Sequence, residues 1–277
     1  QRVRTVRNGT SLLPFEQSEA HPWHEREPAL FMAARFGAQK DHATLIRSLV
    51  PLARDHGLRP ALRLAGGGSA RHLQAAMALV QELGLQQQVS FLGHRSDVPQ
   101  LLMQHQVAVL STHYEGLPLS LAEAMAAGCA VVGSDVPAVR ETLGDGRWGW
   151  LARGGDPQDW ADTLAALWRD PKAAAHKAQE ARDHARVALS RHQMVQAYAE
   201  AYRIPQEEIL NFGDEIKGMA ERQVRRDLII DTLADREKRR CAAVSLRWSG
   251  SSRPVEPVAA APGAMRKASR KVHSASA

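Results

Sequence analysis

Nowhere does this 277-residue sequence hold the roughly 18–20 consecutive apolar residues that a bilayer-spanning helix needs, so no transmembrane helix is expected. Cysteine is scarce. Cys129 and Cys241 sit in unrelated contexts, a usage that fits a reducing compartment better than a disulfide framework. The 12 histidines include no H-x-x-x-H pair and meet no C-x-x-C, so no metal site is read. There is no G-x-G-x-x-G followed by an acid and no Walker A lysine, which argues against a dinucleotide dehydrogenase and a P-loop nucleotidase. The opening "QRVRTVRNGT" lacks the apolar centre of a signal peptide and an initiator Met, from which a fragment or a processed chain is expected.

What is present suits a globular protein. Hydrophobic residues make up 44% of the chain, and the length allows one large or two small cored domains. The net charge of +6 is uneven. From Arg247 onward the only acid is Glu256, set against Arg247, Arg253, Arg266, Lys267, Arg270 and Lys271. Such a segment reads either as a solvated tail or as a contact for an anionic membrane surface or nucleic acid.

Residues 29–203 alternate short apolar runs with longer helical patterns. Five runs read as strands: "ALFMAARF", ending near Arg35, then "PALRLAG", "QVSFLG", "QVAVLST" and "AVVGS". Between them lie helical stretches such as "HATLIRSLVPLARDHG" and "ARHLQAAMALVQELG". This alternation predicts an α/β fold with a doubly wound, Rossmann-like parallel sheet covered on both faces. Its ligand belongs at the carboxyl ends of the strands. After "PQDWADTLAALWRD" the pattern is helical, through "PKAAAHKAQEARDHARVALS" and "RHQMVQAYAEAYR". Residues 204–246 read as a charged helical extension, and residues 247–277 as a basic, low-complexity, disordered tail.

The strand-end loops carry the candidate chemistry. In "HYEGLPLSLAEAMAAG", residues 113–128, Pro118 suits the first helical position, and the free N–H groups of the helix start offer an anion site. Gly116 would let a diphosphate approach the backbone. Glu115 precedes that helix and Glu123 lies inside it, an axial offset of roughly 7–8 Å. Carboxylates flanking an anion site make sense as acceptors for hydroxyls, as a nucleotide sugar would present at both ends. Read singly, they are a loop acid and a helix-surface acid. Arg35 and Lys40 bracket "FGAQ" after the first strand and can aim two cations at one phosphate, though the pair also reads as solvated surface.

Four segments, "AARFGAQKDHATLIRSLVPL", "LRLAGGGSARHLQ", "VSFLGHRSDVPQLL" and "EGLPLSLAEAMAAGCAVVGSDVPAVRE", together resemble the donor-binding half of retaining GT-B glycosyltransferases. The resemblance is to the large family four, the glycosyl transferases group 1, and covers roughly residues 1–203. It implies that Arg35 and Lys40 bind the donor diphosphate and stabilise the leaving group. It implies that Glu115 and Glu123 are the ends of an E-x7-E motif holding the donor-sugar and ribose hydroxyls. Gly116, Leu117 and Pro118 would contact sugar and diphosphate, Gly67 and Gly68 the diphosphate, and Gly93 and His94 the base. No metal and no separate cofactor are expected, because the two cations and the helix end supply the neutralisation. Ala130 stands where family members often carry proline, and Val136, Pro137 and Ala138 replace a common Gly-Gly turn. Residues 1–28 resemble a link after an absent acceptor half, and no histidine matches the family's usual active-site one.

The expected function is transfer of a sugar, UDP-linked most often, to a glycan or lipid-linked acceptor hydroxyl with retention, in cell-surface polysaccharide or glycolipid synthesis. The expected place is the cytoplasm, with a weak anionic membrane contact through the tail. The rival is a nucleotide-sugar-binding half that needs an acceptor domain from elsewhere. An epimerase of related fold ranks behind these, as the E-x7-E spacing with a basic pair favours transfer. Nucleic-acid binding is not expected, since Trp248 is the only aromatic in the basic tail.

Overall fold

Strands covered on both faces are buried along their length, and β4 (His105–Leu110) is buried at all six positions, the polar His105 and Gln106 included. The computed structural model describes residues 9–202, all within the first of two units of the chain, Gln1–Leu210. The readings for residues 204–246 and 247–277 lie outside the described residues. The other strands are β1 (Glu27–Ala33), β2 (Leu62–Ala65), β3 (Val89–Gly93), β5 (Ala130–Ser134) and β6 (Trp150–Ala152). All neighbours pair in parallel, in the order β3-β2-β1-β4-β5-β6, so the sheet is the Rossmann-like one that the alternation predicts.

The helices in chain order are α1 (His42–His56), α2 (Ala70–Glu82), α3 (Val98–Gln104), α4 (Leu119–Ala126), α5 (Pro137–Thr142), α6 (Pro157–Arg169), α7 (Pro171–Ala188) and α8 (Arg191–Tyr202). Right-handed crossovers put α1 and α2 on one face and α3, α4 and α5 on the other. Helix α6 then packs on α1, and α7 on α4. Local signals set the ends. Asp41 caps α1 by accepting from the Thr44 N–H at 3.1 Å, and Gly57 ends it in the left-handed region at φ 69°. Asp156 and Asp170 cap α6 and α7 in the same way.

The sequence reading differs from the structure at two places. It counts five strands, but Trp150–Ala152 forms a sixth, too short at three residues to show an alternation and created by pairing of Val132 with Trp150. It also carries the first strand to near Arg35, whereas β1 stops at Ala33 and leaves Arg35 in the loop. No helix among the described residues is long and apolar enough to cross a membrane.

Strand β1 is central: Leu30 pairs with Leu62 on one side and Val107 on the other, and its side chain is fully buried. Leu30→Ala is expected to cost about 2–5 kcal/mol. Met77→Ala, at a half-exposed position on α2, should stay within about 0.5 kcal/mol. Urea denaturation of the two variants beside the parent chain checks the contrast.

Candidate active site

The strand order reverses between β1 and β4, which opens a crevice at their carboxyl ends. Three loops and the end of β3 close round it by backbone hydrogen bonds. The Gly66 N–H donates to the Gly93 carbonyl at 2.8 Å, tying the loop after β2 to the end of β3. Phe36 N–H donates to the Gly67 carbonyl at 2.8 Å, and Ser69 N–H to the Phe36 carbonyl at 2.9 Å, tying the loops after β1 and β2. On the other side Asp41 N–H reaches the Ser111 carbonyl at 3.1 Å, and His113 N–H the Gln39 carbonyl at 2.9 Å.

Glycine is required for this approach. A Cβ on Gly66 would lie 2.0 Å from the Ala34 carbonyl oxygen, and one on Gly68 would lie 2.4 Å from that of Phe36. Beneath the loop Phe36 is buried and stacks on His42 with ring centroids 4.2 Å apart. Burial pushes the His42 imidazole down to about 4, so it is neutral near pH 7 and adds no charge to the crevice.

The crevice holds a cavity of about 910 Å³ lined by Arg35, Lys40, Ser69, Glu115, Leu117 and Pro118, among others. It thus collects both cations after β1 and the first glutamate of the E-x7-E pair. Gly68 also lines it, whereas Gly67, Gly93, His94, Gly116 and Glu123 do not. Gly93 and His94 adjoin the glycine loop instead: a Cβ on Gly67 would lie 3.9 Å from that of His94. Around Gly116 the space is open.

Lys40 and Glu115 meet side chain to side chain in the crevice. The Lys40 ammonium donates to Glu115 Oε1 in an ion pair whose side chains are only 17% and 7% exposed. Arg35 is exposed, and its guanidinium has no hydrogen bond or ion pair among the described residues. The start of α4 also differs. Pro118 is the cap, not the first helical residue, with φ −80° and ψ 75°. The Leu119 N–H already donates to the Leu117 carbonyl at 2.9 Å, and those of Leu121 and Ala122 donate to Pro118. In that first turn the Ser120 N–H is the one without a partner among the described residues, fewer free donors than the sequence suggests.

Glu123 faces elsewhere. It accepts from the Thr10 hydroxyl at 3.4 Å, and burial raises its pKa, an effect that the Thr10 bond opposes. The two carboxylates of the E-x7-E pair therefore have different surroundings: one is paired with a cation, the other is half-buried beside a hydroxyl.

Comparison with known proteins adds a family. The family described as Glycosyl transferases group 1 matches residues 15–184, more than half of the chain. The chain belongs to the glycosyl transferases group 1. Among relatives, EpsD of Bacillus subtilis is 30% identical over 194 residues, covering 68% of this chain and 49% of that one. The D-inositol 3-phosphate glycosyltransferase of Nocardia farcinica is 32% identical over 152 residues, covering 52% and 33%. The chain thus spans a third to a half of these two relatives. Among solved structures, Anabaena HepE in complex with UDP and glucose superposes with a TM-score of 0.64 at 21% identity, covering 72% of this chain and 56% of that one. The C-terminal domain of LpcC, a group 1 family protein from Francisella tularensis, gives 0.54 at 24% identity, covering 63% and 95%. At these identities the structures show a shared fold.

The sequence reading of this group 1 domain missed several residues at the crevice. The Gln39 side-chain amide donates to the Tyr114 carbonyl at 2.8 Å and to Glu115 Oε2 at 3.2 Å. The Thr112 N–H donates to Ser134 Oγ at 2.8 Å, and the Thr112 hydroxyl lies 3.1 Å from the Gln39 carbonyl. Gln39 stands between the two nominated cations, the one available signal. Thr112 and Ser134 are ordinary strand-end hydroxyls with none.

The raised pKa of Glu123 fixes a sign. The folded chain holds this proton more tightly than the unfolded chain, so stability is lost as pH rises from the ordinary glutamate value of about 4.3 through the raised one. Glu123→Gln removes that loss. It is expected to match the parent in acid and to exceed it at neutral pH, as urea midpoints at the two pH values would show.

Proposed function

We propose that this chain carries the donor-binding half of a GT-B glycosyltransferase that moves a sugar from a nucleotide donor, UDP-linked, to an acceptor hydroxyl with retention. The observation that carries the reading is the crevice at the β1–β4 reversal, where Arg35, Lys40 and Glu115 line one cavity. Anabaena HepE, which shares the fold, is described in complex with UDP and glucose, and this supports the choice of donor.

In this reading the diphosphate lies against Arg35 and Lys40. An ammonium is a compact point charge with three N–H donors, so Lys40 can turn from Glu115 toward phosphate oxygens when the diphosphate binds. Arg35 adds a planar fork suited to phosphate. As the bond to the leaving diphosphate breaks, negative charge grows on it, and two pre-placed cations stabilise that charge without a metal. Glu115 accepts from hydroxyls of the donor sugar, Glu123 from those of the ribose, and the base lies toward Gly93 and His94. Gly67, Gly68 and Gly116 leave room for the backbone to approach the diphosphate and sugar, with Leu117 and Pro118 as the wall of the crevice. The acceptor, a glycan or lipid-linked hydroxyl, attacks on the face from which the diphosphate departs. Cell-surface polysaccharide or glycolipid synthesis at the inner membrane face is the setting proposed.

One observation favours a second reading: the described residues hold a single sheet with a single donor crevice. A chain of that kind binds nucleotide sugar and turns it over only with an acceptor domain supplied from elsewhere. Donor hydrolysis and transfer assays on the chain distinguish the two, since binding without turnover supports the second.

Ligation of the folded state should show in stability. UDP at a hundredfold excess over its dissociation constant is expected to stabilise the parent by about 2.7 kcal/mol. Lys40→Ala, each variant compared with its own nucleotide-free state, should abolish the shift. If UDP and GDP shift the parent and Lys40→Ala alike, the site is elsewhere.

A further inference from the structure

Gln39 touches Glu115 from the side opposite Lys40. Its Nε2 donates to Glu115 Oε2 at 3.2 Å while Lys40 Nζ takes Oε1, so the carboxylate is held at both oxygens. The same Nε2 donates to the Tyr114 carbonyl at 2.8 Å. Both neighbours are acceptors only, which fixes the orientation of the amide: a flipped Gln39 would set its own oxygen against two others. The Gln39 main chain is anchored too. Its carbonyl accepts from the His113 N–H at 2.9 Å and lies 3.1 Å from the Thr112 hydroxyl. Thr112 is fastened in turn to Ser134 at the end of β5. The amide therefore reaches Glu115 from a backbone that is itself tied to the loop carrying Glu115.

The two donors on Glu115 differ in kind. A diphosphate bearing two or more negative charges competes strongly for the Lys40 ammonium and weakly for a neutral amide. When Lys40 turns toward phosphate, Oε1 is released while Oε2 stays on Gln39. The carboxylate then changes partner without changing place, and the freed oxygen accepts a hydroxyl of the donor sugar. From this the geometry points to Gln39 as a positioning residue that orients Glu115 for recognition of the sugar, and not of the nucleotide. The inference rests on the donor-binding reading given above.

The test separates sugar from nucleotide. Dissociation constants would be measured by calorimetry for UDP, and for the tightest binder among UDP-glucose, UDP-galactose and UDP-N-acetylglucosamine. Gln39→Ala is expected to weaken the UDP-sugar about tenfold, the scale of one hydrogen bond to a charged group, while UDP stays within about twofold. Gln39→Glu, of the same shape but with no N–H and a like charge facing Glu115, should lose at least as much. Gln39→Lys, which restores an N–H donor, should recover most of the UDP-sugar affinity. A loss shared equally by UDP and UDP-sugar, or no loss from Gln39→Ala, overturns the role of Gln39 while the site stands. A parent chain that binds neither ligand overturns the donor site and this role together.

Discussion

Everything at the crevice depends on the loop that leaves β1, because it is hydrogen-bonded to the loops on both sides of it. Phe36 holds it to the glycine loop after β2, and Gln39 and Asp41 hold it to the loop after β4. Reversal of strand order at this strand would otherwise leave two loops diverging from a gap. Here the gap is walled by backbone, and the buried Phe36 ring pins the loop to the core. Such a wall needs close main-chain contacts, and Gly66 and Gly68 allow them by having no side chain to place against the Ala34 and Phe36 carbonyls.

That frame sets the electrostatics. A shielded ion pair repays its desolvation only when further hydrogen bonds support it. Lys40 and Glu115 have such support in Gln39, which binds the second carboxylate oxygen. Arg35, outside the pair and exposed, leaves the lining of the crevice with one more positive than negative side chain. Glu123 meets the opposite condition. Its partner among the described residues is the Thr10 hydroxyl, and burial raises its pKa. One carboxylate is thus charge-compensated and the other is held at a cost to folding.

Much of this was legible in one dimension, for identifiable reasons. Arg35, Lys40 and Glu115 could be nominated together because each follows a buried strand, and a parallel sheet brings such strand ends to one edge. The caps at Asp41, Asp156 and Asp170 act over two or three residues and can be read locally. The contact of Thr10 with Glu123 spans 113 residues and leaves no spacing to detect. Strand β6 is three residues long, below the length at which alternation shows, and exists because β5 offers it an edge.

By itself, then, the sequence determined the alternation of buried strands and amphipathic helices, the cap and glycine positions, and which charged residues fall in strand-end loops. These follow from periodicity and from side-chain chemistry within a few residues. Tertiary structure alone decided who meets whom at the crevice. It put Lys40 on Glu115 instead of leaving both open, brought Gln39 to the far oxygen, and turned Glu123 toward Thr10. The physical reason is that these contacts join groups 75 or more residues apart, and their geometry comes from sheet order and loop closure, which no local pattern encodes.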